Sequence, residues 1–296
     1  MKSFSSLYPV LASKNVHHRD KNIQFFEKGH KYVILTDQNS KYTSVTTWIH
    51  SHFPKFDSDS IINSMMKGKN WKEGHKYWGK TKEEIKQMWN KNSSSVSEAG
   101  TNMHYEIECF MNNNQIIQPI YTHKELHENY ILQNTENTKE KYLNESLEWQ
   151  YFIEFVKDYP DLKPYRTEWI IYHEDLKLAG SIDMVYENPD GTLSIYDWKR
   201  SKEITKVNNW NKFATTPSIC QIPDSNFWHY SLQLNTYKAI LEKCYQRTVS
   251  SMVLVRLYPD ETGATNQYEL FPVPVLTEAM QDLFALRATQ VRIGAI

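Results

Sequence analysis

One stretch constrains the fold of this chain more than any other: LAGSIDMVYENPDGTLSIYDWKRSK, Leu178 to Lys202. LAGSIDMVYE is rich in strand-forming residues, Asn188-Pro189-Asp190-Gly191 is a turn signal, and LSIYDWKR follows as a return strand. The reading is a β-hairpin. Side chains alternate along a strand, so Asp197 and Lys199 share a face with Leu193 and Ile195. An ordinary core face has no use for a carboxylate and an amine at its end. Asp183 sits in the first arm, where the twist of a hairpin can bring it beside Asp197. Two carboxylates so placed raise each other's pKa unless a cation lies between them. A hard divalent cation with oxygen ligands, Mg²⁺ first, relieves that repulsion. The competing reading of these residues alone is a surface hairpin with solvated charges.

Further candidates flank the hairpin. Upstream, Ser97-Glu98-Ala99-Gly100-Thr101 starts a helix to about Phe110, with Met103, Ile107 and Phe110 as its apolar stripe. His104 and Glu108 project from neighbouring turns of that helix. A lone histidine on a helix is usually structural, and Glu108 either orients it or is exposed. Asn144 to Tyr159 has helical period with Leu147, Tyr151, Phe152 and Phe155 inward. YRTEWIIYHED, Tyr165 to Asp175, reads as a strand; Glu168 on it either faces a site or pairs with Arg166. Downstream lies a short basic run of Arg200, Lys202 and Lys206. Asp224-Ser225 then caps a helix, FWHYSLQLNTYKAILEKC, on which Gln233 and Tyr237 are one turn apart. Leu232, Leu241 and Cys244 read as core there, and Tyr237 as packing is the plain alternative to a functional role. Strands SSMVLVRLY and QYELFPV precede a last helix from about Thr277, with Met280, Leu283 and Leu286 inward.

The N-terminal part is less regular. Residues 1 to about 22 form a polar leader, and FFEKGHKYVILTD and KYTSVTTWI are strand-like. Asp57-Ser58-Asp59 opens a helix. From Lys67 to Trp89, lysines including Lys72 interleave with Trp71, Tyr77 and Trp78. Lysines can hold phosphates while aromatic faces stack on bases. Glu73, Glu83 and Glu84 dilute the patch, and a solvated amphipathic segment is the alternative. Met111 to Glu140 has no clear pattern and reads as a connection or insertion.

Gly180-x-x-Asp183 followed by Asp197-x-Lys199 resembles the core of the PD-(D/E)XK nucleases. Gly100-Thr101-x-x-His104 upstream and Gln233-x-x-x-Tyr237 downstream resemble motifs of their RecB-like, lambda-type exonuclease branch. KYTSVTTWI, RTEW and IYDWKRSK look closest to a viral and eukaryotic subgroup that includes mitochondrial genome maintenance exonuclease-like proteins. The resemblance implies an α/β fold with a central mixed β-sheet flanked by helices, a restriction-endonuclease-like core over 97–296. Residues 1–96 would form a helical and β extension helping to grip DNA. The sheet would comprise 165–174, 178–187, 193–199 and 249–257.

The resemblance also implies roles. Asp183 and Asp197 bind Mg²⁺, with Mn²⁺ as substitute, and His104 and the Trp198 carbonyl complete the shell. Lys199 activates water or stabilises the phosphate, and Glu168 joins the catalytic acids. Glu108 supports His104 from behind. Gln233, Tyr237, Arg200 and Lys202 position DNA, with Lys72, Trp71 and Trp78 as a more distant grip. The implied activity is exonucleolytic hydrolysis of DNA with single-stranded ends, in replication, recombination or repair. A structure-specific endonuclease and a non-catalytic DNA-binding module are the alternatives; the second requires a broken core motif, and this one is intact.

Net charge is −1, so any phosphate-binding surface must be local rather than a global basic field. Three scattered cysteines suit a reducing compartment and are too few for a four-cysteine iron–sulfur cluster. LYPVLA is too short for a signal sequence, and no run reaches membrane-spanning length. The expectation is a soluble intracellular protein, in cytoplasm, nucleus or mitochondrion. No GxxxxGK motif is present, so helicase activity is not expected.

Overall fold

The Leu178–Lys202 stretch does fold as a hairpin, and a mixed sheet is built outward from it. The computed structural model describes residues 10–112, 121–135, 144–259 and 267–295. In chain order, α1 (Val10–Lys14) precedes a small hairpin of β1 (Ile23–Phe26) and β2 (Lys31–Ile34). Next come β3 (Thr43–Ser44), α2 (Val45–His50), α3 (Ser58–Met66), α4 (Lys82–Met111), α5 (His123–Thr135) and α6 (Leu147–Asp158). The main strands follow: β4 (Lys163–His173), β5 (Leu178–Glu187) and β6 (Leu193–Lys199). After α7 (Asn226–Cys244) come β7 (Val249–Arg256), β8 (Glu269–Pro272) and α8 (Thr277–Arg292).

Pairing explains where the sheet opens. β4 runs antiparallel to β5 along its whole length, occupying one edge of it. The other edge is shared: β3 pairs in parallel with Leu178 and Ala179, and β6 pairs with Met184 to Glu187. Gly180 to Asp183 therefore lie in a gap between β3 and β6. β6 continues in parallel with β7, reached through α7, and β8 closes the sheet antiparallel to β7. The parallel pair needs a crossover, which α7 supplies.

Helices cover both faces, as the apolar patterns require. One core layer joins Trp48 and Ile49 of α2, Leu232 and Ile240 of α7, and Leu283 of α8 to Ile182, Ile195 and Leu254. The other joins Met103, Ile107 and Phe110 of α4 and Phe152 and Phe155 of α6 to Met184, Trp198 and Val255. Each such side chain removed from water contributes about 1.5–3 kcal/mol. Among the described residues, no helix is long and apolar enough to cross a membrane.

Several expectations are corrected. α4 begins at Lys82 rather than Ser97, because Thr81 and Glu84 form a reciprocal capping box. Its first turns dock on α3: Ile85 and Ile62 are fully buried, and Lys82 and Lys86 both reach Asp59. The expected boundary at 96/97 thus falls inside a helix, and β3 from the N-terminal part belongs to the central sheet. α5 lies in the stretch read as a connection; residues 113–120 and 136–140 of that stretch are outside the described residues. Leu147 and Leu286 face solvent at 46% and 38% exposure, and Trp149 and Arg287 take the inward positions instead. The buried Arg287 guanidinium is satisfied by the Leu176 and Lys177 carbonyls and the Thr43 hydroxyl, tying α8 to β3.

Candidate active site

The gap in the edge of β5 is where the charged residues meet. Register pairs Thr167↔Met184 and Trp169↔Ile182 put Glu168 opposite Asp183 on one face. Glu168 adopts a left-handed backbone, φ 41°, which is uncommon for a non-glycine residue and costs energy that the surrounding sheet must offset. Its carboxylate accepts a hydrogen bond from Ser181 Oγ at 2.9 Å. Asp183 has no ladder partner on the open edge; instead its Oδ2 accepts the Trp198 N–H at 3.0 Å, bridging the fork where β5 and β6 part beyond the Met184–Tyr196 pair. From the α4 side, His104 Nδ1 lies 3.6 Å from Asp183 Oδ2 and 3.8 Å from Glu168 Oε1. From the β6 side, Lys199 Nζ lies 2.5 Å from Asp197 Oδ2 and 4.4 Å from the centre of the Tyr230 ring of α7. That oxygen makes an ion pair with Lys199 but no hydrogen bond of good angle.

Exposure is graded across the site. Asp197 is 2% exposed at its side chain, Asp183 12%, His104 28% and Glu168 36%. The site therefore opens on the Glu168–His104 side, with Asp197 deepest and Lys199 at 17% exposure beside it. Burial raises both aspartates above the ordinary carboxylate range. Asp197 reaches about 6, the nearby Lys199 pulling it down and Asp183 pushing it up. Asp183 is raised by burial against the opposing pull of His104 and Lys199. Burial alone would lower the His104 imidazole, but the Asp183 and Glu168 carboxylates outweigh it and lift the ring to about 9. Lys199 follows the same logic: burial lowers it, and Asp197 and Asp183 more than reverse this.

These groups fit a divalent cation. His104 Nδ1, a Glu168 oxygen and an Asp183 oxygen lie within 4.8 Å of one another. His104 Nε2 faces the Trp198 carbonyl at 3.0 Å, the back-side hydrogen bond that orients a ligating histidine. The arrangement differs from the expected ligand set in its members. Glu168, expected as a catalytic acid, stands in this group, while Asp197 is turned to Lys199 and the Trp198 carbonyl is engaged by His104.

The remaining candidates separate by location. Glu108 is 8% exposed, and burial together with Glu168 raises its carboxyl to about 7. Tyr237 is 3% exposed and packs in the core. Its ring sits against Gly180, where a Cβ would come within 2.8 Å of it. Gln233 donates to the Tyr237 hydroxyl at 3.1 Å, holding that ring. Arg200 is paired with Glu148 at 2.7 Å and lies over Tyr258, so its charge is used inside the fold. Lys202 is exposed. Lys72, Trp71 and Trp78 are on the separate segment before α4, where the two indoles are 5.8 Å apart and Trp78 is 47% exposed. Sequence reasoning missed Tyr230 and Ser181. Tyr230 lies three residues before Gln233 on the same face of α7, which is a signal the spacing carries.

A sequence search of curated proteins finds no match. A family profile does match, over residues 81–292, which takes in α4, the whole fork, α7 and α8. The match covers well over half of the chain, and the chain belongs to the PD-(D/E)XK nuclease superfamily.

Proposed function

We propose that this chain is a Mg²⁺-dependent deoxyribonuclease that degrades DNA from free ends and prefers single-stranded ends or overhangs. The observation that carries the nuclease chemistry is the convergence of Glu168, Asp183 and His104 beside the Asp197–Lys199 pair. Asp183, Glu168 and His104 are the residues that would hold the cation, with Asp197 on the lysine side. When bound there, a divalent cation offsets charge building on the phosphate and makes nearby water acidic enough to attack at neutral pH. Lys199 stays protonated, since two carboxylates favour its charge, and so donates hydrogen bonds to the attacking water or a phosphate oxygen. Asp197 fixes where that ammonium points. Tyr230 backs it from α7.

The end preference rests on resemblance of the His104 and Gln233–Tyr237 motifs to the exonuclease branch. The lysine and tryptophan segment before α4 supports it, because backbone charge and stacking tolerate any sequence. The test compares a linear DNA with the same DNA covalently closed into a circle. Degradation of the linear form with the circle spared is expected. Equal rates on both would replace the exonuclease reading with an endonuclease.

A further inference from the structure

Beside the cation-binding group the fold leaves a cleft of about 530 Å³. Strands β4 and β5 form its floor, α4 forms one wall, and the β1–β2 hairpin forms the other. The hairpin contributes three rings, Phe25, His30 and Tyr32. Phe25 lies 4.8 Å from Tyr32 and meets His30 nearly edge-on at 5.0 Å, centre to centre. The three are graded in exposure: Tyr32 is buried in the core, Phe25 is half-buried, and His30 stands at the rim. The turn before β2 holds Gly29 and His30 in left-handed backbone, which carries the imidazole back beside Phe25. The same cleft is also lined by His104 and Glu168, two of the three cation-binding groups.

A cleft of this volume suits a ligand of nucleotide size, and its aromatic wall suits a flat π-surface. We propose that it takes the base of a nucleotide flanking the scissile phosphate, stacked on Phe25 and covered by His30. The proposal rests on the nuclease reading of the adjoining site. Thr101, Tyr105 and Glu108 of α4 also line the cleft and make that wall polar. A base entering here must leave its stack, which is easiest in a single strand or at an end. The cleft thereby gives the single-strand preference a structural cause.

The test uses single-stranded oligonucleotides cut at a mapped bond, with an abasic residue on one side of that bond or the other. Wild-type protein with Mg²⁺ should lose about 5- to 150-fold in kcat/KM for one of the two abasic substrates, the range that stacking on one aromatic ring produces. Phe25→Ala should lose a similar factor on the normal substrate and little on that abasic one. His30→Ala, an exposed change that leaves the core intact, should narrow the same difference. As a binding readout, 2-aminopurine at the sensitive position should be quenched by wild-type protein in Ca²⁺ and less by Phe25→Ala. Equal cleavage of normal and both abasic substrates would overturn the base-binding cleft while leaving the nuclease reading intact. Absence of cleavage on every substrate, with Mg²⁺ or Mn²⁺, would remove that reading and the cleft proposal with it.

Discussion

Asp183 is held where its charge is costly. It is largely buried, it faces Glu168 across the strand pair, and its compensation comes from His104, Lys199 and one backbone N–H. A carboxyl whose pKa is raised on folding favours the folded state most while protonated. That advantage is complete below the ordinary carboxylate value of about 4 and fades as pH rises through the raised value. Asp183→Asn keeps an acceptor for the Trp198 N–H but removes the charge. The variant should therefore gain stability over the wild type as pH rises above about 4. By pH 8 in chelator the gain should be fully developed and read as a higher Tm for the variant. Added Mg²⁺ should raise the wild-type Tm and reduce the difference, since a ligand that binds only the folded state stabilises it. Parallel thermal melts at pH 5 and 8, with EDTA or Mg²⁺, make the measurement. A variant less stable than wild type at pH 8 in EDTA would mean that Asp183 is not under electrostatic strain.

At the scale of elements, the site depends on how closely α7 approaches β5. Gly180 has no side chain, and the Tyr237 ring fills the space a Cβ would need. Gly180→Ala should push α7 or the hairpin aside, and a displacement of that kind near Asp183 should cost about 10²-fold in cleavage. Combining it with Tyr237→Leu should restore at least about tenfold, a coupling that a double-mutant cycle reads directly. Wild-type activity in Gly180→Ala alone would show that the close approach is not needed. The hairpin, its turn, α7 and the strand carrying Glu168 were legible because period-2 alternation and local turn or cap residues determine them. Two elements were not. The first half of α4 crosses Asn90 to Ser95, a polar run with no apolar stripe, and its start was signalled only by the Thr81–Glu84 capping box. α5 is polar on most sides, so periodicity had nothing to detect. Within the site, side-chain identity marked Asp183, Asp197, Lys199 and His104. Pairing across the chain decided the rest: that Glu168 sits opposite Asp183, that Arg200 is taken by Glu148, and that Tyr237 is buried.

For the whole molecule, near-neutral net charge means that attraction to nucleic acid must come from particular surfaces. The surface proposed for this is the segment from Lys67 to Lys80, with Trp78 exposed and Trp71 partly so. Trp71→Ala or Trp78→Ala should each weaken single-strand binding by about 1–3 kcal/mol if the indole stacks on a base. Binding by wild-type protein should fall with salt, with a slope of about 0.7 per phosphate contacted on single strands. Fluorescence anisotropy of a labelled oligonucleotide across a salt series checks both. Unchanged affinity in both tryptophan variants would confine binding to the fork and its cleft.

The most direct measurement of the central claim is cleavage of end-labelled single-stranded DNA in Mg²⁺ by wild type, Asp183→Ala and Asp197→Ala, with binding measured on the same samples. Loss of either acid removes several kcal/mol of transition-state stabilisation, so turnover should fall at least about 10³-fold while affinity for DNA is retained. Near-wild-type turnover in either folded variant would contradict the assignment of this fork as the active site.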